Sequence, residues 1–386
     1  MDHAPSAQAP VTDPAALAAA LIRCPSVTPQ DAGAQTLIAD WLAGQGFEVH
    51  RLRFNEVENL YASLGHAPPF LCLAGHTDVV PPGDAVWRLP PFAGRVENGT
   101  LYGRGACDMK GGLAALIAAA ARVLAEAPVA GKLAFLITGD EEGPARDGTA
   151  RVLDWMRERG EIPDFCLLAE PTNPERLGEV IKIGRRGSLN AQLTVRGVQG
   201  HAAYPHRADN PIHRLVRILT ALTAAPLDAG TSRFEPSSLQ ITSIDVGNPA
   251  TNVIPSQARA AFNIRFNDQH TGATLSAWLR QACAAHAPDH TLDIAVSGGA
   301  FLTEPGPALD HLQAAIEAES GARAALDTGG GTSDARFIAT LCPVAEFGPV
   351  GASMHKADEH IRLDELETLT RIYTRFLRGF FAAPRS

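Results

Sequence analysis

The chain carries imidazole and carboxylate side chains whose types suit a metal-dependent hydrolase. The candidate ligands are two histidines and three carboxylates: His76, Asp108, Glu142, Glu170 and His355. These donors suffice for two zinc-like ions if one carboxylate bridges them. Glu141 stands beside one ligand without being needed as a ligand, so it is free to act as a base. Such a set predicts the activation of water for hydrolysis.

Most of these residues also have an ordinary structural interpretation. The two histidines could be loop residues, and Asp108 could cap the helix that follows its glycine-rich stretch. Glu141 and Glu142 could form a solvated acidic turn. These alternatives stay open when each residue is considered alone.

The positions of several candidates favour the metal site. His76, the Glu141–Glu142 pair and Glu170 each follow an apolar run that predicts a buried strand. Polar groups that follow parallel strands converge at the carboxyl edge of the sheet. Asp78, two residues after His76, is expected to hold the second ring nitrogen of that histidine, although it could equally cap a turn.

The bulk properties exclude several classes of protein. The 386 residues carry a net charge of -9, which gives no footprint for nucleic acid or an acidic membrane. No apolar run reaches the roughly 20 residues that span a bilayer. Met1–Pro10 lacks the pattern of a signal peptide and predicts a short disordered lead.

Six scattered cysteines predict buried, reduced thiols and a cytoplasmic protein: Cys24, Cys72, Cys107, Cys166, Cys283 and Cys342.

Strands and helices alternate over residues 1–186, and the α/β pattern resumes over residues 300–386. This alternation predicts an α/β catalytic domain with a central, mostly parallel sheet. The expected strands are Phe70–Ala74, Lys132–Thr138 and Phe165–Ala169. The expected helices are Ala15–Ile22, Ala34–Leu42, Leu113–Leu124, Gly148–Arg159 and Leu363–Phe380.

The pattern changes over residues 187–299, which we predict to be an inserted α+β domain. Apolar residues alternate with polar ones along Ser188–Arg196, as in a half-exposed strand. The elements that follow give the order β-α-β-β-α-β, an open sheet with helices on one face. Their expected bounds are Pro211–Leu222, Leu239–Asp245, Ala258–Phe266, Leu275–Ala285 and Thr291–Val296.

Several polar residues outside the ligand set are also candidates. His201 could donate a hydrogen bond to a polarised carbonyl oxygen, or it could be a loop residue beside a proline turn. Four arginines suit carboxylate recognition but could be surface charges: Arg185, Arg186, Arg265 and Arg336. The glycine-rich run at 329–334 could hold an anion with backbone N–H groups or be a flexible loop.

Several runs of the chain resemble the co-catalytic zinc aminoacylase/carboxypeptidase family, over about residues 14–382. The runs are Gly75–Asp84, Leu101–Gly111, Asp140–Thr149, Glu170–Thr172, Gly184–Asn190, Gly200–His206, Thr251–Pro255, Phe262–Phe266 and Gly330–Phe337. The resemblance implies a zinc-peptidase-like catalytic domain and an inserted domain that serves as dimerisation surface and lid.

The resemblance also implies a role for each ligand. His76 and Glu170 would hold one Zn2+ of each subunit, Glu142 and His355 a second, and Asp108 would bridge them. Co2+ or Mn2+ could replace the zinc. Asp78 would orient His76, and the peptide bond between Asp108 and Met109 would be cis.

Hydrolysis of an amide is the reaction that the resemblance implies. Glu141 would take a proton from a water bound to the two zinc ions and pass it to the leaving amine. The substrate would be N-succinyl-LL-2,6-diaminopimelate, cleaved to succinate and LL-2,6-diaminopimelate for lysine and cell-wall synthesis. A homodimer would bring His201 into the active site of the partner subunit. Its lid would close over the substrate.

Substrate carboxylates would be bound by the arginines and by polar support. The implied residues are Arg185 or Arg186, Ser188, Tyr204, Asn252, Arg265, Gly331, Thr332, Ser333 and Arg336. Two alternatives remain at this point: another deacylase of the family, such as acetylornithine deacetylase, and a zinc-binding protein without activity. The cluster of arginines argues against the first, and the spare base Glu141 argues against the second.

Overall fold

The structure, a computed structural model, describes residues 12–382. The expected disordered lead, Met1–Pro10, lies outside the described residues. The helices are α1 Pro14–Ile22, α2 Ala34–Gly44, α3 Lys110–Glu126, α4 Thr149–Glu158, α5 Pro211–Thr223, α6 Gly272–His286, α7 Pro307–Ser320, α8 Ala335–Ile338 and α9 Leu363–Ala382. The strands are β1 Glu48–Phe54, β2 Val57–Leu64, β3 Phe70–His76, β4 Arg95–Glu97, β5 Thr100–Tyr102, β6 Lys132–Thr138, β7 Phe165–Leu168, β8 Val180–Lys182, β9 Gly184–Arg185, β10 Gly187–Arg196, β11 Gly200–His201, β12 Ser238–Asp245, β13 Val253–Ile254, β14 Gln257–Phe266, β15 His290–Gly298, β16 Phe301–Leu302, β17 Ala325–Asp327, β18 Val344–Glu346 and β19 His360–Arg362.

The described residues divide into two compact units. The larger unit comprises residues 12–183, 303–327 and 333–382, and the smaller unit comprises residues 184–302 and 328–332. The three domain segments given above, and the dimerisation and lid role of the middle one, stay predictions.

An eight-stranded, mostly parallel sheet forms the centre of the larger unit. Its strand order is β1-β2-β6-β3-β7-β18-β8-β17. β3 is buried along its whole length and apolar up to its last residue, His76, and it pairs in parallel with β6 and β7. The register sets His76 opposite Thr138, so the carboxyl ends of β3 and β6 lie side by side. The predicted α/β fold is confirmed.

The hairpin of β1 and β2 was not predicted. The strands pair antiparallel around a turn at Asn55 and Glu56, and β2 adds this hairpin to β6 at one edge of the sheet. Val49, Leu52 and Phe54 do not alternate strictly with polar residues, so β1 lacks the period of two that identifies a strand. The sheet is therefore antiparallel at this edge and mostly parallel elsewhere.

The smaller unit is a four-stranded antiparallel sheet, in the order β12-β14-β10-β15, with two helices. Alternate residues of β10 and β14 are buried, and Leu193 and Phe262 share one core with Leu215 of α5 and Leu279 of α6. Both helices therefore cover the same face of the sheet. The chain order β10, α5, β12, β14, α6, β15 is the predicted β-α-β-β-α-β order.

Between residues 12 and 382, no helix combines the length and apolar character that crossing a bilayer requires. The six cysteines are free thiols, as predicted; Cys24 is partly exposed and the other five are buried.

Candidate metal site and active site

Asp108 lies between the two candidate histidine ligands. Its Oδ1 is 3.2 Å from Nε2 of His76, and its Oδ2 is 3.2 Å from Nε2 of His355. Nε2 of His355 also lies 3.0 Å from Oε1 of Glu142, and Nε2 of His76 lies 3.8 Å from Oε1 of Glu170. The structure thus brings all five candidate ligands together and directs the two oxygens of Asp108 at different histidines.

The donor set fits a divalent cation. Among the described residues, two groups have ligand atoms within 4.8 Å of one another: His76, Asp108 and Glu142, and His76, Glu141 and Glu170. Oε1 of Glu170 is buried and has no hydrogen-bond partner in the described chain, which is unusual for a buried oxygen. Imidazole and carboxylate donors around such an oxygen are those that zinc accepts. The possible metal site is therefore more than a cluster of acidic residues.

Asp78 contacts both His76 and the loop that follows β6. The backbone carbonyl of Asp78, rather than its carboxylate, is the closer partner of Nδ1 of His76, at 2.9 Å against 3.6 Å. The carboxylate instead accepts hydrogen bonds from the backbone N–H groups of Glu141 and Glu142, at 3.2 and 3.0 Å. One residue thus fixes the ring of one ligand and the backbone of the candidate base.

The backbone around Asp108 rules out the helix-cap interpretation. α3 begins after Met109, and no side chain within residues 12–382 caps its first turn. The peptide bond between Asp108 and Met109 is cis, as the family resemblance implied. His355 has a φ of 61°, a left-handed conformation that is uncommon outside glycine and often marks a functional position.

Burial and mutual charge shift the pKa values of the site. Burial raises the pKa of Glu141 to about 8, and nearby carboxylates such as Asp334 add to the rise that His76 opposes. Burial also raises the pKa of Glu170 and raises that of Asp78 to about 6. Hydrogen bonds to Asp108 and Glu142 raise the pKa of His355 to about 10. Carboxylates crowded in this way favour a bound cation, which stabilises their ionised forms.

Two candidate substrate-binding residues lie in the larger unit. The hydroxyl of Ser333 donates a hydrogen bond to Oε1 of Glu346 at 2.8 Å. Nη1 of Arg336 donates to the carbonyl of Ser333 at 3.0 Å, and the guanidinium lies over the ring of Phe337. Nε of Arg336 is buried without a partner among the described residues. The guanidinium therefore keeps a donor available.

Four of the candidates in the smaller unit lie on or beside β9 and β10. Nη1 of Arg185 donates to the carbonyl of Gly331 at 3.1 Å. Ser188 lies opposite Arg265 in the pairing of β10 with β14. Burial lowers the pKa of Arg265, and the charge of Arg186 lowers it further, so these two cations are neighbours.

The remaining candidates of the smaller unit lie in the short strand β11 and in loops. His201 pairs with Val253 between β11 and β13, and the carbonyl of Asn252 accepts a hydrogen bond from the N–H of Ala202 at 2.8 Å. The rings of His201 and Tyr204 are 5.6 Å apart, and both residues are exposed. Thr332 is half-buried in the short segment 328–332. His201, Tyr204 and Asn252 therefore form one local group.

Sequence reasoning missed Arg104 and Glu359, a buried ion pair beside Asp108. Arg104 offered a weak signal, because it is a cation inside the glycine-rich run before Asp108. Glu359 offered none, since it follows Asp358 in a polar loop that reads as a solvated turn.

Comparison with known proteins gives a family match. The sequence profile of Peptidase family M20/M25/M40 matches residues 72–379. The chain is 58% identical over 373 residues to a succinyl-diaminopimelate desuccinylase of Gluconobacter oxydans, covering 96% of this chain and 98% of that protein. It is 60% identical over 377 residues to a protein of the same name from Granulibacter bethesdensis, covering 95% of this chain and 98% of the relative.

Solved structures share the fold at low sequence identity. An M20 family metallo-carboxypeptidase from Sulfolobus solfataricus has a TM-score of 0.77 at 15% identity, covering 95% of this chain and 98% of its own. A dinuclear metal-binding peptidase of the M20 family from Bacillus subtilis has a TM-score of 0.69 at 17% identity, covering 95% and 97%. At these identities the likeness concerns the fold alone.

Proposed function

This chain belongs to Peptidase family M20/M25/M40, and we propose that it hydrolyses N-succinyl-LL-2,6-diaminopimelate to succinate and LL-2,6-diaminopimelate. The observation that carries the proposal is the 58–60% identity, over 95–96% of the chain, to relatives named succinyl-diaminopimelate desuccinylase. The ligand set and the spare base support the same reaction class. The product is a precursor of lysine and of the cell wall.

Two Zn2+ ions per subunit are the proposed cofactors, and Co2+ or Mn2+ could take their place. His76 and Glu170 would hold one ion, Glu142 and His355 would hold the other, and Asp108 would contribute to both. When bound, the ions polarise the amide carbonyl and lower the pKa of a water molecule.

Glu141 moves the proton of the reaction. Its carboxylate removes a proton from the attacking water and delivers it to the leaving amine nitrogen. Asp78 supports this role, because its carboxylate binds the backbone N–H of Glu141 and its carbonyl holds the ring of His76. A base held by its backbone keeps its direction while its side chain exchanges a proton.

The carboxylates of the substrate are matched by the arginine candidates. Arg265 and Arg186 are neighbouring cations in the smaller unit, and two adjacent cations suit a ligand with several carboxylates. Arg336 keeps a buried Nε that is not used by the described residues. The other members of the proposed binding set are Arg185, Ser188, Tyr204, Asn252, Gly331, Thr332 and Ser333.

The proposed assembly is a cytoplasmic homodimer. His201, from the smaller unit of one subunit, donates a hydrogen bond to the oxyanion in the active site of the other. Its exposed ring next to Tyr204 supports this, since an exposed histidine is available to a partner.

A comparison of two substrates tests the proposed function. The zinc-loaded protein is incubated with N-succinyl-LL-2,6-diaminopimelate and with N-acetylornithine, and the released amine is measured. We expect a strong preference for the succinyl compound. Preference for N-acetylornithine would keep the metal chemistry but contradict the proposed substrate. Hydrolysis of neither compound by a protein with bound metal would contradict the proposed function.

A further inference from the structure

Arg104 and Glu359 form an ion pair inside the larger unit, with Nη1 of Arg104 2.6 Å from Oε2 of Glu359. The side chains are only 2% and 0% exposed. Burying two charges costs free energy that their attraction recovers only when hydrogen bonds satisfy the remaining polar atoms. Both oxygens of Glu359 and both Nη atoms of Arg104 are bonded within the described chain, whereas Nε of Arg104 is buried without a partner there.

Glu359 binds the backbone at the candidate bridging ligand. Its Oε1 accepts hydrogen bonds from the N–H groups of Cys107 and Asp108, at 3.1 Å each. Its Oε2 is occupied by Arg104. The carboxylate thus fixes the main chain from which the side chain of Asp108 extends.

Arg104 connects two further segments. Nη1 also donates to the carbonyl of Lys356 at 3.3 Å, immediately after His355. Nη2 donates to the carbonyls of Pro81 and Pro82, at 3.4 and 3.5 Å, in the loop that follows β3 and His76. One guanidinium therefore binds the loop that follows His76 and the loop that contains His355, while its partner Glu359 binds the backbone of Asp108.

We propose that Arg104 and Glu359 are positioning residues that set the spacing of Asp108 and His355 for metal binding. The inference rests on the proposed function, since it assumes that these residues hold the ions. Partners outside the ligand set orient the ligands, and their loss weakens metal affinity. Glu359 does not itself serve as a ligand, because both its oxygens are engaged by the chain.

Glu359→Gln is the direct test. The amide keeps the shape of the side chain, but its NH2 group must face either Arg104 or the two backbone N–H groups. Metal-free wild-type protein and variant are titrated with Zn2+ by calorimetry. We expect the dissociation constant of at least one of the two ions to rise by about 10- to 100-fold in the variant.

Glu161→Gln is a matched control at the other end of the sheet. Glu161 accepts hydrogen bonds from Tyr61 at 2.7 Å and from Lys132, the first residue of β6. The same carboxylate-to-amide change there should lower the thermal unfolding midpoint without altering the zinc affinity. If Glu359→Gln lowered the unfolding midpoint but left the zinc affinity unchanged, as expected for Glu161→Gln, the inference would be overturned.

Arg104→Lys covers the case in which Glu359→Gln does not fold. Lysine keeps the charge beside Glu359 but lacks the fork that reaches three segments, so zinc should bind about 10-fold more weakly. Wild-type zinc affinity in Arg104→Lys would overturn the inference. If the wild-type protein bound no zinc, the proposed function itself would be overturned. If wild type and variants bound two zinc ions equally well, only the inference about Arg104 and Glu359 would be overturned.

Discussion

At the scale of single residues, Glu141 is the side chain whose change best separates chemistry from metal binding. Glu141→Gln should lower kcat by about 10²- to 10⁴-fold, because the amide cannot take a proton from the attacking water. Zinc stoichiometry and the unfolding midpoint should stay near those of the wild type. Glu142→Gln is the control, since it should weaken zinc binding instead. Near-normal hydrolysis by Glu141→Gln would exclude this residue as the base.

Residue type and position were enough to propose the ligand set, but not to find what holds it. His76, Glu141 and Glu170 could be proposed because each follows an apolar run whose carboxyl end lies at the sheet edge. The Arg104–Glu359 contact joins residues 255 positions apart, and one sequence contains no sign of such a pairing. Either the carbonyl or the carboxylate of Asp78 could contact the ring of His76. The direction of the backbone decides between them, and residue type does not specify that direction.

At the scale of elements, the packing of α3 against the end of β7 positions Glu170. A Cβ on Gly112 of α3 would lie 2.4 Å from the carbonyl oxygen of Ala169, the residue before Glu170. Gly112→Ala should therefore displace this strand end, lower the unfolding midpoint and weaken zinc binding. Zinc calorimetry and thermal unfolding measure both effects.

Gly44→Ala, at the end of α2, is the control for this substitution. Its added methyl group would meet no atom of the described residues within 4 Å, so the change should be neutral or stabilise the protein by up to about 1 kcal/mol. Unaltered stability and zinc affinity in Gly112→Ala would contradict the packing argument.

The loop between α5 and β12 contains a carboxylate that should make the stability of the smaller unit depend on pH. Asp228 accepts hydrogen bonds from the N–H of Gly230 at 2.7 Å, the amide of Asn267 at 2.8 Å and the ring of His270 at 3.0 Å. Burial raises the pKa of Asp228, but hydrogen bonds from Ser237, Gly230 and Asn267 outweigh it and lower the pKa from 3.8 to about 2. A pKa lower in the folded than in the unfolded state contributes stability above about pH 4 that is lost as pH falls towards 2.

Asp228→Asn should therefore destabilise the protein by about 1–3 kcal/mol near neutral pH, because the ionised acceptor is lost. The difference between variant and wild type should shrink between pH 4 and pH 2. Urea unfolding at pH 7, 4 and 2.5 measures it. A difference that is constant over this range would show that the charge of Asp228 contributes nothing.

Long periodic elements were predictable, and short or irregular ones were not. The alternation along β10 and the apolar run of β3 gave their positions, because burial on one or both faces leaves a sequence pattern. β5 and β19 have three residues each, too few to show a period. Yet their pairing sets His360 opposite Tyr102 and so fixes the chain next to Glu359.

At the scale of the whole molecule, the change of pattern near residue 187 predicts an insertion. The described residues divide into two compact units, the smaller of which begins at residue 184. The grouping of residues 328–332 with the smaller unit could not be predicted, since five polar and glycine residues carry no periodicity. The carbonyl of Gly331 in that segment accepts a hydrogen bond from Arg185. A long-range contact of this kind, rather than a local sequence pattern, places the segment with the smaller unit.

The proposed dimer predicts that two inactive variants restore activity when combined. His201→Ala should lose about 10²- to 10³-fold in kcat through loss of an oxyanion donor, and Glu141→Gln should lose about 10²- to 10⁴-fold through loss of the base. In a heterodimer of the two, one active site keeps its own Glu141 and receives an intact His201 from the partner subunit. Purified heterodimer, isolated with two different tags, should therefore show about half the wild-type activity, because one of the two symmetric sites is complete. If His201 served its own subunit, each site would lack one group and the heterodimer would be as inactive as either parent.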